Sequence, residues 1–155
     1  MLNDKDFENY IIENGIDAKI IYFDKPTATV ESAVDQLNLP KDHIVKSILV
    51  INERNKPFVV LVNGDRKVSF NKVAQVTNSE SIRMAKAKEV KEILGYEVGS
   101  VPPISFKTNL VVLVDKRLKG YEYLVGGGGT RHSLLRLKPD DIILFNSASI
   151  FDVSE

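Results

Sequence analysis

No cysteine occurs anywhere in the chain. That absence excludes a disulfide framework, a thiolate zinc site, an iron–sulfur cluster and a cysteine nucleophile, and it accords with a reducing compartment. Histidine is almost as scarce. His43 and His132 are the only two, so no multi-histidine metal site is available, and no HExxH or comparable spacing appears. Neither sign of charge is in excess, with 21 Lys plus Arg against 21 Asp plus Glu. No global field therefore draws the chain to nucleic acid or to an anionic membrane, and any polyanion contact has to be a local patch. No apolar run reaches the length of a membrane span, and the opening MLNDKDFENY lacks the cationic flank and apolar stretch of a signal peptide, which predicts a cytoplasmic protein.

What is present suffices for a core. With 43% hydrophobic and 27% charged residues over 155 positions, the composition is that of one soluble domain spanning residues 1–155. Phe7, Tyr10, Ile11 and Asn14 recur at helical spacing after Asn3-Asp4, and Gly15 is placed to end that helix. Ala18 to Phe23 reads as a strand, and Val30, Ala33, Val34 and Leu37 predict a second helix between Thr29 and Pro40. The apolar runs Ile44–Ile51 and Pro57–Val62, split by NERNK, predict two neighbouring strands. A brief helix over Ser69–Val76, a brief strand over Ser81–Met84 and a helix ending at Gly95 follow. Leu110–Val114, Tyr121–Val125 and Ser133–Leu137 read as late strands, with Pro139-Asp140-Asp141 opening a final turn before the apolar Ile142–Phe145. The class is α/β or α+β with a mixed sheet.

Three features stand out chemically. Lys46 interrupts a strand that otherwise reads as buried on both faces; it either snorkels its head to water or is a cation held in a cleft, ready for a carbonyl, ester oxygen or phosphate. Gly99-Ser100-Val101-Pro102-Pro103 is a stiff loop, either a plain connector or a place where backbone approaches a ligand. Gly126 to Gly129, followed by Thr130-Arg131-His132-Ser133, is the most informative. Four successive glycines are entropically expensive unless main chain has to meet something, and exposed amides can bind an anion or form an oxyanion hole; a flexible hairpin tip is the plainer alternative. The run is neither a P-loop nor a dinucleotide fingerprint, and no GxSxG elbow supports Ser47 or Ser133 as a nucleophile. Thr27, Thr29, Tyr22 and Phe23 lie at the entrance to the second helix, as caps and packing or as a pocket wall.

Taken in order, IVKSILV at 44–50, NGDR at 63–66, GSVPP at 99–103, GGGGTRH at 126–132 and LKPDD at 137–141 resemble the YbaK/ProX family of aminoacyl-tRNA deacylases, relatives of the editing domain of bacterial-type prolyl-tRNA synthetases. The resemblance runs from about Ala18 onward. It implies a mixed α/β fold with a curved, partly barrel-like sheet flanked by helices, and hydrolysis of the ester joining a wrong amino acid to tRNA, with no cofactor and no metal. The implied catalytic positions are Lys46, Gly99, Gly127 and Gly128, with Ser47, Thr29, Phe23, Ser100, Pro103, Arg131 and His132 binding substrate. Two departures bear on specificity: Gly127 and Leu134 stand where the cysteinyl-tRNA branch has serine and aspartate, and Ser100 replaces the second glycine of the usual pair. GGGGTRH is closer to the branch of alanyl-tRNA(Pro) deacylases.

The implied partners are the acceptor end of a mischarged tRNA and an aminoacyl-tRNA synthetase, with no membrane, the chain being a monomer or homodimer. A local basic set of Lys46, Arg66, Lys72 and Arg131 would meet phosphate, and Phe23 or Phe70 would stack on a base. A non-catalytic tRNA- or synthetase-binding module, or a hydrolase of a small aminoacyl ester, are the alternatives.

Overall fold

A computed structural model of the chain describes residues 4–27 and 29–155. Asn3, read as part of the first helix's approach, lies outside them.

The architecture is organised by the strand Pro57–Asn63 (β3). Its sequence PFVVLVN has no polar face, and the structure shows why: Val59 and Leu61 point into one apolar cluster, and Phe58, Val60 and Val62 into another on the opposite side. Successive side chains of a strand face opposite ways, so a continuous apolar run fits a strand covered on both faces. All five are at most 3% exposed, and burying a side chain of this size contributes about 1.5–3 kcal/mol. Val45–Asn52 (β2) pairs antiparallel with β3, and Val111–Asp115 (β5) pairs with it in parallel. Ile82–Met84 (β4) and Ser149–Phe151 (β8) close the two edges, giving the order β4-β2-β3-β5-β8.

A second sheet is built from Lys19–Tyr22 (β1), Leu124–Gly127 (β6) and Ser133–Leu137 (β7), in the antiparallel order β1-β7-β6. The two sheets meet through one parallel bridge between Ile44 and Val125. The expected mixed α/β fold is therefore found, with the curved surface made by two abutting sheets rather than a closed barrel.

Helix α1 (Asp4–Glu13) and α4 (Ala87–Leu94) place Phe7, Ile11, Val90 and Leu94 in the larger cluster, while α3 (Phe70–Val76) contributes Val73 to the other. Helix α2 (Val30–Leu37) lays Ala33 against Ile44, Val125 and Leu134 at the junction of the two sheets. Helix α5 (Pro139–Asn146) occupies the segment read as a turn. Pro139 at its start needs no amide hydrogen there, and Asp140 and Asp141 suit the positive end of the helix. The strand expected over Tyr121–Val125 begins later, because Lys116–Gly120 winds as a 3-10 turn and the Tyr121 hydroxyl donates to Asp42 at 2.7 Å. Gly126 and Gly127 thereby become strand residues, opposite Leu135 and Leu134.

Two interactions lock the sheets to their surroundings. Asp115, fully buried at the end of β5, accepts from the amides of Arg117 and Val153 and from the Arg117 guanidinium, which also reaches Asp152 at 3.0 Å. Lys72 donates to Asp152 and to the Ser154 carbonyl, at 3.1 and 2.8 Å. Meanwhile the Gly129 amide donates to the Ser100 carbonyl at 2.9 Å, joining the glycine run to the loop after α4.

Asp115→Ala is expected to lose about 3 kcal/mol of unfolding free energy in urea titration, since it removes the acceptor of the Arg117 and Val153 amides and one of the two carboxylates that hold the Arg117 guanidinium. Burial pushes the Asp115 pKa up, but the hydrogen bonds outweigh it and the net shift is down; Arg117 and Lys72 hold Asp152 at about 2. Both lie below the ordinary aspartate value of 3.8. Each contributes stability that is present above the unfolded value of 3.8 and lost as the pH falls through its folded value, which for Asp152 is about 2. Gly127→Ala should destabilise by about 1–3 kcal/mol in the same titration, because a Cβ there would lie 2.4 Å from the Val101 carbonyl oxygen and 2.9 Å from Ser100 main chain.

Candidate functional site

At the seam between the two sheets lies a cavity of about 280 Å³. One wall is the first half of β2: strand β4 pairs only with Val50–Asn52, so the edge at Val45–Ile48 carries no further strand. Lys46 and Ser47 enter the cavity from there, Thr27, Thr29, Val30 and Ala33 enter from the start of α2, and the main chain of Gly99 and of Gly127 completes it.

Lys46 is half-buried, which makes it neither a fully solvated lysine nor a core one. Its ammonium donates to the Arg66 carbonyl. An ammonium carries three donors, so two remain after that contact. Burial pushes its pKa below the usual 10.5; the carboxylates of Asp65 and Glu31 oppose the shift and Lys67 adds to it. This is a cation stripped of part of its water, the state in which it attracts a developing negative charge most strongly.

The loop after α4 is fixed by a turn in which the Ser100 amide donates to the Glu97 carbonyl at 3.0 Å and Gly99 takes φ +86°. A residue at that place in such a turn needs positive φ, which a glycine supplies without strain. The Gly99 amide has no hydrogen-bond partner among the described residues. Ser47 donates to the Pro102 carbonyl at 3.3 Å, stitching β2 to the same loop.

The glycine run is explained by proximity. A Cβ on Gly126 would sit 2.9 Å from Val45, one on Gly127 2.4 Å from the Val101 carbonyl oxygen, and one on Gly128 2.6 Å from Ser133 main chain. The run is thus a packed strand end and turn, not a flexible tip. It also is not a row of bare amides: Gly128 donates to the Ser133 carbonyl at 3.2 Å and Gly129 to Ser100.

Of the residues singled out in the sequence, Lys46, Ser47, Thr29, Gly99 and Gly127 share the cavity. Thr27, Val101 and Gly126 line it as well, whereas Gly128, Ser100, Pro103, Phe23, Arg131 and His132 do not. Gly128 stands behind Gly127 with its amide occupied, and Pro103 lies under Gly126 with its carbonyl bonded to Asn146 at 2.7 Å. Ser100 is buried with no partner for its hydroxyl. Arg131 and His132 are exposed; their carbonyls accept from the Thr27 and Phe23 amides, each at 2.7 Å, so this stretch pins the approach to α2 by main chain. Phe23 packs beside Ala33 and Leu134. Within the basic set, Lys72 is committed to Asp152 and Arg66 to the Glu155 carbonyl.

Val30, Ala33, Val98 and Leu134 line the cavity without having been picked out as site residues. The helical spacing that identified Val30 and Ala33 marks an apolar face, and an apolar face reads the same whether it meets core or ligand. Thr29 does both jobs: its hydroxyl accepts from the Ser32 amide at 3.1 Å, capping α2, while the residue lines the cavity.

No serine is set up as a nucleophile among the described residues. The Ser133 hydroxyl is 2.7 Å from that of Thr130, and neither histidine side chain hydrogen-bonds a serine. His43 instead faces Asp42 at 3.6 Å and Tyr121 edge-on. No group of three or more His, Asp or Glu side chains is placed to hold a metal ion, and no helix is long and apolar enough to cross a membrane, among those residues. What the cavity offers is a partly desolvated cation and main chain around a space walled by small and apolar side chains, suited to negative charge forming on an oxygen.

Comparison with known proteins points the same way. The chain is 34% identical over 103 residues to proline–tRNA ligase of Lactobacillus acidophilus, covering 66% of this chain and 18% of the ligase. It is 28% identical over 129 residues to the uncharacterized protein YwhH of Bacillus subtilis, covering 83% of this chain and 82% of that one. The chain thus spans less than a fifth of the ligase it matches. Among solved structures, hypothetical protein APE2540 superposes with a TM-score of 0.90 at 32% identity, over 96% of this chain and 98% of that one. A chain named as a candidate trans-editing enzyme for prolyl tRNA synthetase superposes with a TM-score of 0.87 at 25% identity, over 100% and 99%. The model of the aminoacyl-tRNA editing domain matches residues 24–145, well over half of the sequence, and the chain belongs to that family.

Proposed function

We propose that residues 1–155 act as one editing domain that hydrolyses, in trans, the ester of alanine or another small amino acid mischarged onto tRNA(Pro). The observation that carries this is the single cavity lined by Lys46 and by the main chain of both Gly99 and Gly127. Water, or the free hydroxyl of the terminal ribose, adds to the ester carbonyl. The carbonyl electrons move to oxygen, and the oxyanion is met by the Lys46 ammonium and by the amides of Gly99 and Gly127. Collapse breaks the bond to the ribose oxygen, which leaves with a proton. When water attacks, the products are free amino acid and tRNA; when the hydroxyl attacks, the acyl group first moves to that oxygen and water then releases it. No protein nucleophile is needed, in keeping with the Ser47 hydroxyl being turned to the Pro102 carbonyl.

The walls speak for a small acyl group. Thr27, Ala33 and Gly127 are compact, and Val30 and Leu134 are apolar. Selection by such a wall is worth about 1–3 kcal/mol per methylene, so larger acyl groups are disfavoured. The prolyl-tRNA synthetase relatives speak for the tRNA.

The decisive measurement is deacylation of a panel of tRNA(Pro) charged with Ala, Ser, Cys and Pro. Alanyl-tRNA(Pro) should be cleaved well above background and prolyl-tRNA(Pro) spared. Binding without turnover would instead mark a recruitment module. Lys46→Met should lower kcat/KM about 10²–10³-fold, as removal of an oxyanion donor does elsewhere. It also removes a partly desolvated charge, so urea unfolding should stay within about 1 kcal/mol of the parent, which separates chemistry from folding.

The pH profile follows from the same residue. The Lys46 pKa lies below 10.5 in the fold, so the ammonium is lost on the alkaline side at a lower pH than an ordinary lysine loses it. The enzyme-dependent rate, corrected for spontaneous hydrolysis, should fall there, and Lys46→Arg should move the fall to higher pH.

A further inference from the structure

The turn Asn63-Gly64-Asp65-Arg66 receives the Lys46 ammonium on its Arg66 carbonyl. It begins at the end of β3 with Asn63, the one polar side chain of an otherwise apolar strand, and that side chain is buried. We infer that Asn63 is a positioning residue for the reaction: its side-chain amide fixes the turn, and the turn aims Lys46 at the substrate. The inference rests on the deacylase reading for the chemistry that Lys46 performs.

Three observations carry it. First, Val45 pairs with Asn63 and Lys46 with Val62, so Asn63 stands one residue away from Lys46 across the ladder. Second, the hydrogen bonds around Asn63 converge on the turn. Its Nδ2 donates to the Asp42 carbonyl at 2.7 Å, tying the end of β3 to the segment before β2. Its own carbonyl accepts from the Arg66 amide at 3.0 Å and closes the turn, while the Gly64 amide donates to the Ile44 carbonyl at 2.7 Å. A Cβ on Gly64 would lie 2.6 Å from the Lys41 carbonyl oxygen, so the turn is seated directly on residues 41–44. That segment is held from its other side by the Tyr121 hydroxyl on the Asp42 carboxylate. The carbonyl that orients Lys46 therefore has its place set by Asn63. Third, Asn63 Oδ1 is buried with no partner among the described residues. An amide with an unmet acceptor is less stable there than an apolar side chain of similar shape, which the rest of β3 would accommodate. What accounts for an asparagine at this place is its donor, and the donor holds the turn. Burial is the largest effect on the Lys46 pKa, and Asp65 on this same turn is the leading charge opposing it, so the turn sets the electrostatics of the ammonium as well as its direction.

Asn63→Leu and Asn63→Asp keep the approximate shape and remove the donor, one with an apolar group and one with a carboxylate, so either can report if the other fails to fold. Asn52→Leu is the control: Asn52 is equally buried, at the opposite end of β2, and its side chain serves the Arg54 and Lys56 amides and Ser79. On alanyl-tRNA(Pro) the Asn63 variants should lower kcat about 10- to 100-fold and leave KM within about twofold, because a misplaced donor is felt in the transition state. Asn52→Leu should lower stability and leave kcat within about twofold of the parent. With no tRNA present, the Lys46 Cε signal followed by NMR against pH should show its midpoint moving up in the Asn63 variants, as the released turn admits water to the ammonium, and staying in place in Asn52→Leu. A folded Asn63 variant with the kcat of the parent, or with an unmoved Lys46 midpoint, overturns the inference; so does an equal fall of kcat in Asn52→Leu, which marks a general loosening of the fold. The two failures are separable. If no charged tRNA is cleaved but the Lys46 midpoint depends on Asn63, the positioning stands and the deacylase reading falls. Cleavage of alanyl-tRNA(Pro) that is indifferent to Asn63 is the reverse.

Discussion

The site depends on how closely two stretches of main chain approach each other. Gly127 lies so near the turn after α4 that a single added carbon would sit 2.4 Å from the Val101 carbonyl oxygen. Only a residue without a side chain permits that approach. The Gly129–Ser100 hydrogen bond holds the two turns together, and the bridge between Ile44 and Val125 holds the sheets that carry them. Remove the contact and the cavity loses two of its walls at once. The four-glycine run is thereby an outcome of packing first, and whatever chemistry its amides perform is made possible by that packing.

Against this frame Lys46 is the one charged group among the described residues that line the cavity. Its strand is held on one side by β3, yet β4 stops short of it, and the resulting gap in the sheet is where the cavity opens. The cation is partly dehydrated and gains one carbonyl partner, not a carboxylate. A carboxylate in contact would neutralise it and blunt its pull on an incoming oxygen. Away from the cavity, around Asp115 and Asp152, Arg117 and Lys72 are paired with carboxylates and tie β5 and α3 to the last residues. One set of charges holds the molecule together while the other is left available.

Much of the fold was legible in the sequence because periodicity records burial. The apolar runs at Ile44–Ile51 and Pro57–Val62 read as neighbouring strands and are so, and the helical spacing of Val30, Ala33, Val34 and Leu37 marked α2. Strand β8 was missed since its three residues are all exposed and carry no alternation. The boundaries of β6 were missed since what shifts them is a tertiary hydrogen bond, Tyr121 to Asp42, which no local pattern announces. The site was legible in part. Lys46, Gly99 and Gly127 stand out as residue types that do not belong in their surroundings, and the structure brings them to one cavity. Arg131 and His132 stand out as strongly but serve through their carbonyls, and a sequence does not distinguish a side chain that matters from a main chain that does. The cavity's apolar wall was invisible for the converse reason: Val30, Ala33 and Leu134 look like any core.

Under the proposed mechanism the working parts of the pocket are largely peptide groups, which gives it an unusual mutational signature. Truncating side chains cannot delete a backbone donor, and enlarging a glycine distorts the scaffold before it touches reactivity. Alanine scanning would therefore register these positions as folding defects, while the chemistry itself leaves its trace in a family only as places where bulk is forbidden.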